Sequence, residues 1–335
     1  MTDRTCILVA TVKDEGPYLL EWLAYYKVIG FSKAIIFHND CSDYTDQILR
    51  VMHRFTDFVR QFENTEKDKG QRKDPQRRAY QRALTIKDVQ SADYALVADA
   101  DEFMNIKAGA GHLDDLFDAV GDMDVFTMTW RMFGNNSVHA ITPDLVTEQF
   151  QRARTDNWPK AFRLWGAKSF FRMQDIKKLG VHRPYHTADI REGDRDIRWI
   201  NGSGQDILSA LRNGGWRVNR KTHGADFAEM NHYAVRSADA FLVKQKRGSA
   251  NAGDRVRLDL DYFELYNCND VAEDSITRHI PAIKAQVAEW LNTIPGLAQA
   301  QAQSLKIHQE IAAQRRLEMA QTDPDELERL DVMAQ

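Results

Sequence analysis

The chain opens with a short apolar run rich in β-branched residues, CILVATV, followed by polar KDEG and then Pro17. That pattern predicts a buried strand, a loop and a helix entered at the proline, whose fixed φ suits a first turn. Between Leu19 and Ile29 apolar residues recur at helical spacing, with Leu19, Leu23 and Tyr26 in register and Leu20, Ala24 and Val28 beside them, and Gly30 supplies the stop. AIIFHND repeats the strand-and-loop pattern. Ser42 or Asp43 can cap a second helix striped by Ile48, Val51, Met52 and Phe55, and FVRQF reads as a third strand. Strands alternating with helices imply right-handed βαβ units and a parallel sheet.

After Pro75 a helix is expected to run to about Val89, and YALVA then forms a strand that ends in Asp99-Ala100-Asp101-Glu102-Phe103. Beyond this the pattern changes. Short strand candidates such as VFTMTW and KSFFR alternate with Gly and Asn turns at Gly134 to Asn136 and Asn201 to Gly204, which marks a second half suited to an acceptor. A helix follows Ser237 and carries Phe241, Leu242, Lys244, Lys246 and Arg247. Past Pro281 the chain becomes Ala-, Gln- and Glu-rich with Ile283, Val287, Trp290 and Leu291 at helical spacing, an appendage or an oligomer contact.

Composition narrows the picture. The 335 residues carry 45 Lys and Arg against 49 Asp and Glu, a net charge of -4, so no global attraction draws the chain to nucleic acid or anionic lipid. Cys6, Cys41 and Cys268 are widely separated and form no CxxC pair, as expected of reduced thiols. No run approaches the ~20 apolar residues that span a bilayer. The expected location is cytoplasmic, or peripheral at the inner face of the membrane.

The chemistry concentrates at strand ends, because ligands of open α/β sheets bind outside the carboxyl ends of the strands. In Asp99-Ala100-Asp101 an extended backbone places both carboxylates on one face, about 6.6 to 7 Å apart. Such a pair can hold Mg²⁺ or Mn²⁺ together with the oxygens of a diphosphate. Similar triplets occur at Asp122 to Asp124 and Asp259 to Asp261, but only the first follows an apolar strand within the βα array. Thr11, Lys13 and Glu15 after the first strand, and Asn39, Asp40 and Asp43 after the second, suit a base edge and ribose hydroxyls, although Asp43 equally suits a helix cap and Glu15 a helix N-terminus. Arg72, in the basic stretch around Lys69, and Gln76 beyond it are candidates on the diphosphate side, against the reading of a solvated loop.

The ordered set KDEGPYLLEWLAYYKVIGF, IIFHNDCSD, DPQRRAYQRAL, YALVADADEFMNI, LGVHRP, WINGSG and NHYAVRSADAFLVKQKRG resembles the bacterial glycosyltransferase family 2-like group, related to the DUF23 (family 92) enzymes, over roughly residues 5 to 280. The resemblance implies an α/β GT-A fold, a Rossmann-like nucleotide-diphospho-sugar transferase domain over residues 1 to 280. Residues 1 to 105 would form its nucleotide-binding half and 106 to 280 its acceptor-binding half, with a C-terminal helical extension over 281 to 335. It implies a nucleotide-sugar donor, UDP-linked, a saccharide or glycolipid acceptor in surface polysaccharide synthesis, and Mn²⁺ or Mg²⁺ at Asp99 and Asp101 with Ala100 between them. It also implies His232 as a third metal ligand and Lys244 and Arg247 as diphosphate contacts. Two features depart from the family 2 pattern: the second strand ends in HNDCSD where an Asp-Asp-x-Ser run is usual, and the usual Glu-Asp pair before the catalytic helix is not evident.

Inverting transfer needs a general base near the acceptor hydroxyl, and Asp206 and Asp274 are the expected candidates. His182, Arg183, Trp199 and Gly202 are expected to line the sugar or acceptor pocket, where aromatic faces meet sugar C–H surfaces. A nucleotidyltransferase would show a glycine-rich basic loop after the first strand, which KDEGP is not. A non-catalytic carbohydrate-binding module remains a rival that only activity separates.

Overall fold

The computed structural model describes residues 4–64, 75–155, 165–186, 196–211, 217–248 and 258–335. Its spine is a mixed sheet of nine strands: β1 (Cys6–Val12), β2 (Lys33–His38), β3 (Val59–Glu63), β4 (Tyr94–Val97), β5 (Glu102–Ile106), β6 (Val125–Met132), β7 (Ala167–Arg172), β8 (Trp199–Asn201) and β9 (Ala228–His232). The path runs β3-β2-β1-β4-β7-β6-β9-β5, with β8 paired to β6. The expected parallel arrangement holds from β3 to β4. It stops there, because β7 runs antiparallel to both β4 and β6, and β5 antiparallel to β9.

The helices of eight residues or more among the described residues are α1 (Gly16–Val28), α2 (Thr45–Phe55), α3 (Pro75–Ala83), α4 (Leu113–Val120), α5 (Ala238–Arg247), α6 (Ile280–Thr293), α7 (Leu297–Thr322) and α8 (Pro324–Met333). Alternation in β1 explains the layering. Cys6, Leu8, Ala10 and Val12 enter one core with α1, while Ile7 and Val9 enter another with Ala79, Tyr80 and Ala83 of α3, so the strand is apolar throughout. Gly30 ends α1 at φ +112, a conformation that side-chain-bearing residues resist. The helix after Pro75 ends sooner than its pattern suggests. Thr85 Oγ1 donates to the Arg82 carbonyl at 2.8 Å, and the chain turns before a short helix at Lys87–Gln90.

Residues beyond 280 form the expected helices. Ile283, Trp290, Leu297, Ala300 and Ala312 enter the same core as α1 and β1, and α7 packs on α1, α2 and α5. No helix among the described residues is long and apolar enough to cross a membrane.

Candidate active site

β4 ends at Val97, and the chain turns through Asp99 to Glu102 before β5 leaves in a new direction. Glu102 N donates to the Asp99 carbonyl at 3.0 Å, and the Glu102 side chain returns the bond by accepting from Asp99 N at 2.8 Å. Helix α1 fixes the turn from behind: Trp22 Nε1 and Tyr26 Oη both donate to the Glu102 carbonyl, at 2.8 and 3.0 Å. The aromatic face that the sequence devotes to this helix therefore positions the acidic turn as well as the core.

The two aspartates of the turn meet different partners. Asp99 accepts from Gln76 Nε2 and from Lys168 Nζ, each at 3.0 Å. Lys168 is fully buried and reaches Glu102 as well, again at 3.0 Å. Glu102 completes this network by accepting from Trp130 Nε1 at 2.8 Å. Burial raises the Glu102 carboxyl, Lys168 draws it down and Asp99 pushes it up again, leaving it at about 7.

Asp101 faces the other way. Its carboxylate accepts from Lys244 Nζ at 3.1 Å and stands 3.6 Å from His232 Nε2. Burial acts to raise the Asp101 carboxyl, but Lys244 and His232 outweigh it and hold the group well below the usual carboxylate range. A separation of 3.6 Å is beyond an ordinary hydrogen bond. An octahedral ion with ligand distances of about 2.0–2.1 Å sets adjacent donors about 3 Å and opposed donors about 4 Å apart, so one of the two side chains would have to shift slightly to share it. Among the described residues no three His, Cys, Asp or Glu side chains gather as a closed metal cage. Asp101 and His232 alone do not close a site, and an ion there would have to take its remaining ligands from a bound phosphate group and water.

Asp99, Ala100, Asp101, His232 and Lys244 line one cleft with Thr11, Lys13, Glu15, Arg247, Gly248, Leu258 and Tyr262. The cleft lies at the carboxyl ends of β1 and β4. Glu15 is not available there to hydrogen-bond a ribose. It is buried between two guanidinium groups, Arg236 at 2.9 Å and Arg247 at 2.5 Å, whose charges outweigh burial and lower its carboxyl. Arg247 also donates to the carbonyls of Lys13 and Asp14, at 2.6 and 3.0 Å, which ties α5 to the loop after β1. Arg236 spans the same region, donating to the Ala100 carbonyl at 3.0 Å with its guanidinium 3.8 Å over the Tyr18 ring.

The remaining expected residues divide clearly. His182 joins the site from the side: its ring lies edge-on to Trp130 at 5.6 Å, Trp130 in turn lies 4.7 Å from the His232 ring, and His182 Nδ1 is 3.1 Å from the Ala167 carbonyl. Burial and the nearby Lys168 hold the His182 imidazole down at about 3, so it is neutral. Arg183 lines a neighbouring pocket with Arg77, Tyr80 and His182. Trp199 is a core residue, its indole donating to Thr127 Oγ1 at 2.8 Å, and not a sugar platform. Gly202 is a packing glycine, since a Cβ there would lie 2.2 Å from the Ala228 carbonyl.

Neither expected base reaches the cleft. Asp206 is exposed and caps the short turn that follows it, accepting from Leu208 N at 2.9 Å. Asp274 is exposed before a 3-10 turn at Ser275–His279. Asn39 and Asp40 follow β2, with the Asn39 amide donating to the Asp40 carboxylate, and neither lines the cleft. Asp43 is fully buried and structural, its carboxylate bound to Gly16 N, Thr45 N and His308. Arg72 lies outside the described residues. The sequence reading missed Lys168, Glu102, Trp130 and Arg236. A lysine inside the apolar strand KSFFR was the one available signal, because a fully buried lysine needs a carboxylate partner.

Residues 6–234 match the model of glycosyltransferase family 92. Among solved structures, the chain is similar to TarS of S. aureus at 14% identity and TM-score 0.34, covering 92% of this chain and 55% of that one. It is similar to the bifunctional glycosyltransferase WbbM at 12% identity and TM-score 0.31, covering 90% and 52%. It is also similar to 4-diphosphocytidyl-2C-methyl-D-erythritol synthase from Anaerococcus prevotii at 10% identity and TM-score 0.30, covering 61% and 90%. The chain spans about half the length of TarS and WbbM. No curated protein matches it.

Proposed function

The chain belongs to glycosyltransferase family 92, and from that premise we propose that it transfers a sugar from a nucleotide-diphosphate donor, UDP-linked, with a divalent cation held between Asp101 and the diphosphate. The observation that carries this reading is the Asp101 carboxylate, kept ionised at the carboxyl edge of the sheet with His232 Nε2 3.6 Å away. A bound Mn²⁺ or Mg²⁺ would neutralise the charge that develops on the leaving nucleotide diphosphate.

The side chains supply the rest. Lys244 donates to Asp101 from within the cleft, and its exchange of that carboxylate for a phosphate oxygen would leave Asp101 free for the ion. Asp99, fixed by Gln76 and neutralised by Lys168, serves as an oriented hydrogen-bond acceptor rather than as an equal metal ligand. Neutral His182, on the wall of the neighbouring pocket, offers a flat surface for the donor sugar, backed by the buried Trp130 ring. The acceptor class, a saccharide or glycolipid, comes from the family resemblance alone.

Release of nucleotide diphosphate from UDP-sugars, followed with and without Mn²⁺, tests the reading. Metal-dependent turnover that disappears in Asp101→Ala supports it. Metal-independent turnover, or full activity of that variant, rejects it.

A further inference from the structure

The C-terminal helix α7 lies outside the segment matched by the family model, yet it reaches the loops beside the cleft. Three side chains on one of its faces, Gln301, Ser304 and His308, stand at i, i+3 and i+7. Gln301 Nε2 donates to the Pro17 carbonyl at 2.9 Å, and Ser304 Oγ donates to Asp43 Oδ2 at 3.4 Å. A Cβ added to Gly16 would lie 2.0 Å from Ser304 Oγ, so helix and loop are in direct contact. His308 Nε2 is 2.7 Å from Asp43 Oδ2, with both side chains almost wholly buried.

Asp43 is the node through which this contact spreads. The same carboxylate accepts from Gly16 N and Thr45 N, each at 3.0 Å. Thr45 Oγ1 then accepts from Glu15 N at 2.9 Å, and Asp14 Oδ1 accepts from Ser42 N at 2.6 Å. The loops after β1 and β2 are thereby stapled together. Asp14 and Tyr44, within them, hold φ of +48 and +70, which such residues keep only where their surroundings impose it. A cavity of about 20 Å³, the size of one water, has His308 and Tyr18 on its wall together with Glu15, Asp101 and Lys244. The histidine is one cavity away from the acidic turn.

We propose that His308 is a positioning residue: through Asp43 it holds the loop carrying Lys13 and Glu15 in the shape that accepts the nucleoside diphosphate, so that helix α7 sets donor affinity. The proposal rests on the reading of the cleft as a nucleotide-sugar site. Without His308, Asp43 Oδ2 keeps only Gly16 N and the long Ser304 contact, so the buried carboxylate must shift towards another partner, and the Gly16 and Thr45 amides move with it. The glutamine side chain can place an amide donor near the position of Nε2, which makes His308→Gln the conservative replacement.

The test titrates the full chain with UDP, GDP, CDP and ADP in the presence of Mn²⁺, by calorimetry, and follows melting in parallel. The nucleotide that binds wild type most tightly then serves as probe for His308→Ala, His308→Gln and Gln301→Ala. The expected result is a Kd raised about tenfold in His308→Ala, recovery of most of that loss in His308→Gln, and a smaller rise in Gln301→Ala. Should His308→Ala fail to fold, the Gln301→Ala rise and the His308→Gln value decide. Variants that melt earlier but bind the probe as wild type does would overturn the proposal and leave the donor reading standing. A wild-type chain that binds none of the four nucleotides would overturn both.

Discussion

Lys168 Nζ lies 3.0 Å from Asp99 Oδ2 at the end of a side chain with no solvent exposure, and it holds Glu102 at the same distance. One cation thus serves two carboxylates on either side of Asp101, and this division separates the roles of the two aspartates. Replacing Lys168 by Met should cost about 3–5 kcal/mol, the penalty for leaving a buried charge unpaired. Melting in denaturant should show this loss. A change below about 1 kcal/mol would mean that water or a neighbour compensates the pair.

Acid should act on the Asp43 node. Burial tends to raise this carboxyl, but the hydrogen bond and charge of His308 lower it from the ordinary 3.8 to about 2. A carboxyl lowered in the folded state contributes stability above its unfolded pKa, and that contribution is lost as the pH falls from about 4 towards 2. The contribution is on the order of 2 kcal/mol. Asp43→Asn should therefore flatten the stability curve over this window relative to wild type, as read from chemical denaturation at several pH values. Parallel curves would contradict the assignment.

The contact between α1 and α7 leaves no room for a methyl group. Gly16→Ala should destabilise by about 1–3 kcal/mol, as overpacking does. Ser304→Gly in the same chain should restore much of the loss, since the nearest atoms are Ser304 Oγ at 2.0 Å and Ser304 Cβ at 2.9 Å. A double-mutant cycle measures this coupling, and additive effects would show that the helix moves aside freely.

A similar contact supports the site itself. The Trp130 ring lies against Gly166, where a Cβ would come within 2.0 Å of it. Gly166→Ala should displace the indole from Glu102 and weaken donor binding about tenfold, the scale of one hydrogen bond to a charged group. Tryptophan fluorescence and nucleotide titration together would register both effects. Unchanged binding with a displaced indole would remove Trp130 from the site.

The strand-end position of Asp99 and Asp101 was legible because an apolar run followed by charge marks the carboxyl edge of a sheet, whatever the rest of the fold does. His232 and Lys244 came from motif resemblance and Gln76 from its place just beyond the basic stretch, and the structure brings all three to the acidic turn. What stayed illegible depends on pairing across the chain. Lys168 meets Asp99 only because β7 is inserted antiparallel beside β4, and His308 meets Asp43 across 265 positions. No local pattern encodes such contacts. Asp206, Asp274 and Trp199 failed for the converse reason: a carboxylate in a turn and an aromatic in a strand look alike in sequence whether they face a cleft, solvent or the core.

The proposed function requires that Asp101, and not Asp99, hold the divalent ion against a nucleoside diphosphate. Calorimetric titration of UDP into wild type, Asp99→Asn and Asp101→Asn, with and without Mn²⁺, measures this directly. Mn²⁺ should strengthen binding to wild type and still do so in Asp99→Asn, whereas in Asp101→Asn the metal should make no difference. Equal metal enhancement in wild type and Asp101→Asn would contradict it.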